Sequence, residues 1–181
     1  MSGRVVRILL CVVALSLPAA ESSVWLDVPF VKQQKNGCGA ASIAMVMGYW
    51  QRHLPDQPMS PEVDEIQLAL YSHRARGIYA SDVELYLQRH GFRTFALRGE
   101  WTDLEQHLKK GRPLIVALRS GKDLHYVVVT GVETQEFVLK HDPAVRGLLR
   151  QRRFEFEREW KAANNWTLLA VPEQYSKSSS H

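Results

Sequence analysis

Cys38 and His125 are of the right type, and stand in the right surroundings, for nucleophilic catalysis. A thiol attacks as its thiolate and needs a nearby base to take its proton. Cys38 stands in Gly37-Cys38-Gly39-Ala40-Ala41-Ser42, and from there to Trp50 the apolar residues recur at helical spacing. The thiol is therefore predicted at or just before the first turn of a helix. There the helix dipole and unpaired backbone N–H groups favour negative charge. Gly39 is expected to let a substrate backbone come close, and the glycines on either side thin the cover over the sulfur. The competing reading is a buried, inert cysteine of the kind common in cores.

The other parts follow in order. His125 opens the apolar run Leu124-His125-Tyr126-Val127-Val128-Val129-Thr130-Gly131. Strand alternation puts its ring on one face with Val127 and Val129. Asp142 ends the next strand, so a hairpin of the two strands would return it beside His125, where a carboxylate orients an imidazole. Gln33, or else Gln34, offers an amide donor just before the helix, which could hold an oxyanion together with the Cys38 N–H. Taken singly, each has a plain structural alternative: a core histidine, a turn aspartate before a proline, a solvated glutamine. The order Gln, Cys at a helix start, His opening a strand, Asp ending the next is what singles them out. His141 is a rival base, ranked second because alternation turns it away from Asp142.

These residues need a scaffold. Ser60-Pro61, Ser81-Asp82-Val83-Glu84 and Thr102-Asp103-Leu104-Glu105 read as helix starts, the last two as capping boxes, and Gly91 and Gly111 read as helix ends. Strands are predicted over 92–97, 113–118, 125–132, 136–141 and 166–171, and a short helix over 156–163. The plan is α+β, with helices first and then mostly consecutive strands that pair antiparallel. The 181 residues fit one domain, assigned to 23–175, with a serine-rich tail at 176–181 read as disordered.

Residues 1–22 read as a secretory signal peptide: Arg4 and Arg7, an apolar run over 8–17, then Pro18-Ala19-Ala20. A cut after Ala20 or after Ser22 both fit. The run is short for a membrane span, and an uncleaved anchor is the alternative. The chain is thus expected to be exported through a bacterial inner membrane, to the periplasm or beyond. Of the two cysteines, Cys11 would leave with the signal. A lone cysteine in an oxidising compartment is either buried or kept for reactivity.

The segments Val28-Pro29-Phe30-Val31-Lys32-Gln33 and Gly37-Cys38-Gly39-Ala40-Ala41-Ser42-Ile43-Ala44-Met45-Val46 resemble the approach and active-site helix of the C39 peptidases. Leu124 to Gly131 and Asp142-Pro143-Ala144 resemble that family's second half. The resemblance covers about Val28 to Val171. It implies a papain-like fold and a cysteine peptidase acting on a peptide or protein, with no cofactor. By position it makes Cys38 the nucleophile, His125 the base, Asp142 the orienter and Gln33 the oxyanion donor. The best-known members cut leader peptides after a double glycine as domains of exporters. Here the only Gly-Lys, Gly121-Lys122-Asp123, lacks the Ser or Thr of a phosphate-binding loop. The similarity is therefore to the stand-alone, exported, C39-like branch, and double-glycine specificity stays open. So do acyl transfer, which papain-like folds also host, and a non-catalytic peptide-binding module with a partner in the cell envelope.

Other chemistries are poorly supported. The seven histidines form no His-Glu-x-x-His, and there are no paired cysteines for a metal. The net charge of +4 is scattered. Its densest stretch, 146–153, reads as a solvated loop or strand edge rather than a nucleic-acid surface. Glu155, Glu157 and Glu159 read as a solvated face.

Overall fold

Sixteen residues, Cys38–His53, form α1, the helix around which the rest is built. Ala40, Ala41, Ile43, Met45 and Val46 are almost fully buried, and so are Tyr49 and Trp50 nearer its end. A helix this apolar on all sides belongs in a core. Each large apolar side chain removed from water there contributes roughly 1.5–3 kcal/mol. Polar tips fix its last turns: Tyr49 Oη donates to the Gly111 carbonyl at 2.8 Å and Trp50 Nε1 to the Ala170 carbonyl at 3.0 Å. The far end of α1 is thus held, and its N-terminus is carried to a fixed place.

The computed structural model describes residues 23–54 and 60–178. The predicted signal segment and residues 179–181 lie outside them. In chain order the elements are β1 (Val24–Trp25), α1, α2 (Val63–Leu70), α3 (Ala80–Arg89), β2 (Phe92–Arg98), α4 (Trp101–Lys109), β3 (Leu114–Ser120), β4 (Asp123–Glu133), β5 (Phe137–Asp142), β6 (Arg146–Arg152), α5 (Arg153–Lys161), β7 (Trp166–Pro172) and α6 (Glu173–Ser178). The strands make one antiparallel sheet in the order β2-β7-β3-β4-β5-β6, with β1 alongside β4. The α+β plan holds.

Local details differ from the sequence reading. The helix read from Ser60-Pro61 starts at Val63, after Glu62. α3 begins at Ala80 with no side-chain cap, so Ser81 forms no capping box. The second box exists, but two residues earlier: the Glu100 side chain accepts the Asp103 N–H, and Asp103 accepts the Glu100 N–H. The basic stretch at 146 is β6, at the sheet edge as one of its two readings had it, while α5 starts at Arg153 rather than Phe156. α6 runs into the segment read as a disordered tail.

One irregularity matters for the site. β5 pairs with β4 as Glu133↔Phe137, Val132↔Val138 and Gly131↔Leu139, then as Val129↔Lys140 and Val128↔His141. Thr130 is the extra residue of a β-bulge, with its hydroxyl donated to the Leu139 carbonyl at 3.2 Å. Side chains alternate with a period of two, so a one-residue shift exchanges faces. Without the bulge Asp142 would lie across from Val128. With it, the ladder carries Asp142 across from Val127, on the face of His125. Gly131, beside the bulge, leaves room for β1: a Cβ there would strike the Val24 carbonyl oxygen and Trp25 Cα.

Candidate active site

α1 begins abruptly. Gly37 is its N-cap and offers no side chain, and the Ala41 N–H makes the first bond back to the Gly37 carbonyl at 3.0 Å. The N–H groups of Cys38, Gly39 and Ala40 thus precede the helical ladder, as at any helix start. Cys38 is a free, partly buried cysteine. Gly39 does not open the cleft as expected: it is buried, and a Cβ on it would meet Ile78 at 3.0 Å. Its role is to let Ile78, between α2 and α3, press against the first turn.

At the other side of the cleft, His125 Nε2 donates to Asp142 Oδ1 at 2.7 Å. The same oxygen accepts the Ala144 N–H at 3.0 Å, which holds the carboxylate in its turn. With Nε2 engaged, Nδ1 is the ring nitrogen left for Cys38. Burial disfavours a charged His125, but the Asp142 hydrogen bond, then hydrogen bonding and charge from Cys38, outweigh it and push its pKa up to about 9. For Asp142, burial works upward. The His125 hydrogen bond and charge, the Ala144 N–H and the Lys140 cation prevail and hold its pKa below the ordinary value.

His141 is accounted for otherwise. Its Nδ1 accepts the Leu148 N–H at 2.8 Å, so its Nε2 carries the proton and donates to the Val28 carbonyl, also at 2.8 Å. Both ring nitrogens are spent on tying β5 to a bulge in β6 and to the segment before α1. Neither is available as a base.

Cys38, His125 and Gln33 line one open cleft of about 1710 Å3. That exceeds the roughly 300–1,000 Å3 usual for small-molecule pockets. Gln33 is fixed by its N–H to the Pro143 carbonyl at 3.0 Å, beside Asp142, and its Oε1 is buried without a hydrogen-bond partner among the described residues. Gln34 points elsewhere, its Nε2 donating to Asp64 Oδ1 at 2.7 Å. The structure thus gathers Cys38, His125, Asp142 and Gln33, and leaves Gln34 out.

Two features escaped the sequence reading. Tyr126 also lines the cleft, and burial, then the charges of Cys38 and Asp82, push its pKa up to about 12. Its adjacency to His125 was the available signal. Arg76 and Asp123 meet at 3.8 Å, joining the α2–α3 connection to the start of β4. Such long-range pairs leave no pattern in sequence.

A half-buried thiol at a helix start, sharing a cleft with a carboxylate-bound imidazole carried on an antiparallel sheet, is the arrangement of a papain-like fold. Solved structures that it resembles include C39 peptidase domains. The peptidase domain of Streptococcus ComA, a bi-functional ABC transporter of a quorum-sensing pathway, matches with a TM-score of 0.63 and 22% identity, over 79% of this chain and 97% of that one. A C39-like peptidase from Bacillus anthracis matches with a TM-score of 0.67 and 17% identity, over 83% and 98%. A double glycine motif protease from an AMS/PCAT transporter, solved with the leader peptide, matches with a TM-score of 0.61 and 23% identity, over 82% and 94%. No curated protein sequence matches the chain. Residues 25–168 match the model of the Peptidase_C39 like family, and the chain belongs to that family. Among the described residues, no helix is long and apolar enough to cross a membrane.

Proposed function

We propose that the protein is a cysteine peptidase in which Cys38, His125, Asp142 and Gln33 act together on a peptide bond. The observation that carries this is the 2.7 Å His125–Asp142 hydrogen bond in the cleft that also holds Cys38. Cys38 gives its proton to His125 and its sulfur attacks the carbonyl carbon. The Cys38 N–H and the Gln33 amide hold the resulting oxyanion. His125 passes the proton to the leaving amine as the C–N bond breaks, leaving a thioester. It then takes a proton from water, which attacks the thioester and releases Cys38. Asp142 keeps the ring oriented throughout.

A peptide or protein substrate fits the size of the cleft and the family. The signal-like residues 1–22 favour a substrate in the cell envelope. The test is the rate of Cys38 alkylation by iodoacetamide against pH, with His125→Ala alongside. An activated pair gives fast alkylation at about pH 5–6 that the substitution abolishes. Slow alkylation that follows an ordinary thiol titration, with pKa about 8.5, would overturn the reading and leave a peptide-binding module.

A further inference from the structure

Among the described residues, Lys140 is the one lysine or arginine that is buried, with 6% of its surface exposed. A buried ammonium is costly and is rarely found without an opposite charge to serve. Lys140 makes no short ion pair among the described residues. Its reason for being there lies slightly further off.

The register of the sheet supplies it. Lys140 lies across from Val129 on β4 and from Leu149 on β6. It stands two residues before Asp142, so the two share a face of β5. That is the face on which the Thr130 bulge sets Asp142 with His125, Val127 and Val129. Val127, Val129 and Val138 are fully buried there. The lysine stem thus has apolar neighbours, and its charge is kept from bulk water. α5 packs against β5 and brings Glu159, next to the buried Trp160.

Charge in such an interior acts over several ångströms without contact. Burial pulls the Lys140 pKa down, and the carboxylates of Asp142 and then Glu159 oppose it. For Asp142, burial works upward against the His125 hydrogen bond and charge, the Ala144 N–H and this same cation. Beyond His125 stands Cys38, whose hydrogen bond and charge act on the ring. The other cation beside Asp142 is Arg146, directly across on β6, but it is exposed and screened by water.

We propose that Lys140 is a positioning residue of the active site: its buried ammonium, balanced by Glu159, keeps the Asp142 carboxylate ionised, so that it goes on binding and orienting the His125 ring in acid. The inference rests on the peptidase reading and adds to it a residue that acts only through Asp142.

The experiment follows the Asp142 carboxyl carbon by NMR against pH, and the rate of Cys38 alkylation by iodoacetamide over the same range. Lys140→Met and Lys140→Gln both remove the charge, one with an apolar side chain and one with a polar one, so a neutral variant remains if either fails to fold. Lys140→Arg keeps the charge. In the neutral variants the Asp142 midpoint should rise by roughly one pH unit, as loss of a nearby buried cation predicts. The acid limb of alkylation should move up with it. Lys140→Arg should hold the wild-type midpoint and limb, and so should Arg146→Met. An Asp142 midpoint unmoved in the neutral variants would overturn the proposal. So would an equal displacement in Lys140→Arg, which would make the effect one of packing rather than charge. A midpoint that moves while fast, His125-dependent alkylation keeps its acid limb would overturn the positioning role and leave the peptidase standing. A midpoint that moves while wild-type Cys38 alkylates slowly and independently of His125 would overturn the peptidase and leave the hold of Lys140 on Asp142.

Discussion

Asp142 and His125 form one unit whose proton belongs to the pair. With the imidazole pKa pushed up to about 9, the ring stays protonated through neutral pH beside the sulfur. A protonated His125 is the acid needed for the leaving amine. Cleavage should therefore fall as pH rises through about 9, and a pH–rate profile of kcat/KM checks this. Asp142→Asn keeps the shape of the carboxylate but removes its charge and can present an N–H to the ring. Its expected effect is a loss of kcat on the order of 10²-fold or more, with the alkaline limb moved to lower pH. A variant that kept both its rate and its profile would remove Asp142 from the mechanism.

Between residues and fold stand the elements that aim them. The bulge at Thr130 decides which face Asp142 occupies, and the Thr130 hydroxyl, bonded to the Leu139 carbonyl, supports it. Thr130→Val keeps the volume and loses that bond, so a cost of about 1 kcal/mol is expected in urea unfolding, with activity retained. His141 performs a larger task, joining β5 to Leu148 and Val28. His141→Ala leaves both backbone groups without their partner, and a cost of about 2–4 kcal/mol is expected by the same measurement. The His125 dependence of thiol alkylation should survive in the folded fraction, since both His141 ring nitrogens are bonded to the backbone of Val28 and Leu148. At α1, Gly39→Val would drive a branched side chain into Ile78. Overpacking of that kind costs typically 1–3 kcal/mol.

For the whole molecule, the catalytic pair also contributes to stability, and its sign follows from the two shifts. His125 is raised from 6.5 to about 9, so its contribution is complete below about pH 6.5 and is lost as pH rises through about 9. Asp142 is lowered from 3.8, so its contribution is present above about pH 4 and is lost as pH falls through its folded value. The His125–Asp142 hydrogen bond enters both shifts and counts once, while Cys38 adds to that of His125. The pair therefore supports the fold most between about pH 4 and 6.5. Thermal unfolding of the wild type should show a decline from about pH 6.5 to 9 that His125→Ala lacks.

Much of this was legible in the chain itself. The helix at Cys38 shows in its apolar spacing, the strands around 125 and 137 in their alternation, and the glycine helix ends in Gly91 and Gly111, both with positive φ. Helix caps were less legible, because Tyr79 and Glu100 sit at N-cap positions that composition alone assigns to Ser81 and Thr102. What the sequence by itself determined is the set of chemical types and the periodic elements that carry them, since both are local properties. The juxtapositions came only from tertiary structure. A bulge at Thr130 turns Asp142 towards His125, two backbone bonds retire His141 from chemistry, and Gln34 finds Asp64 while Gln33 stays in the cleft. Each depends on contacts between segments far apart in the chain, and side-chain alternation within a single strand carries no record of a partner's register.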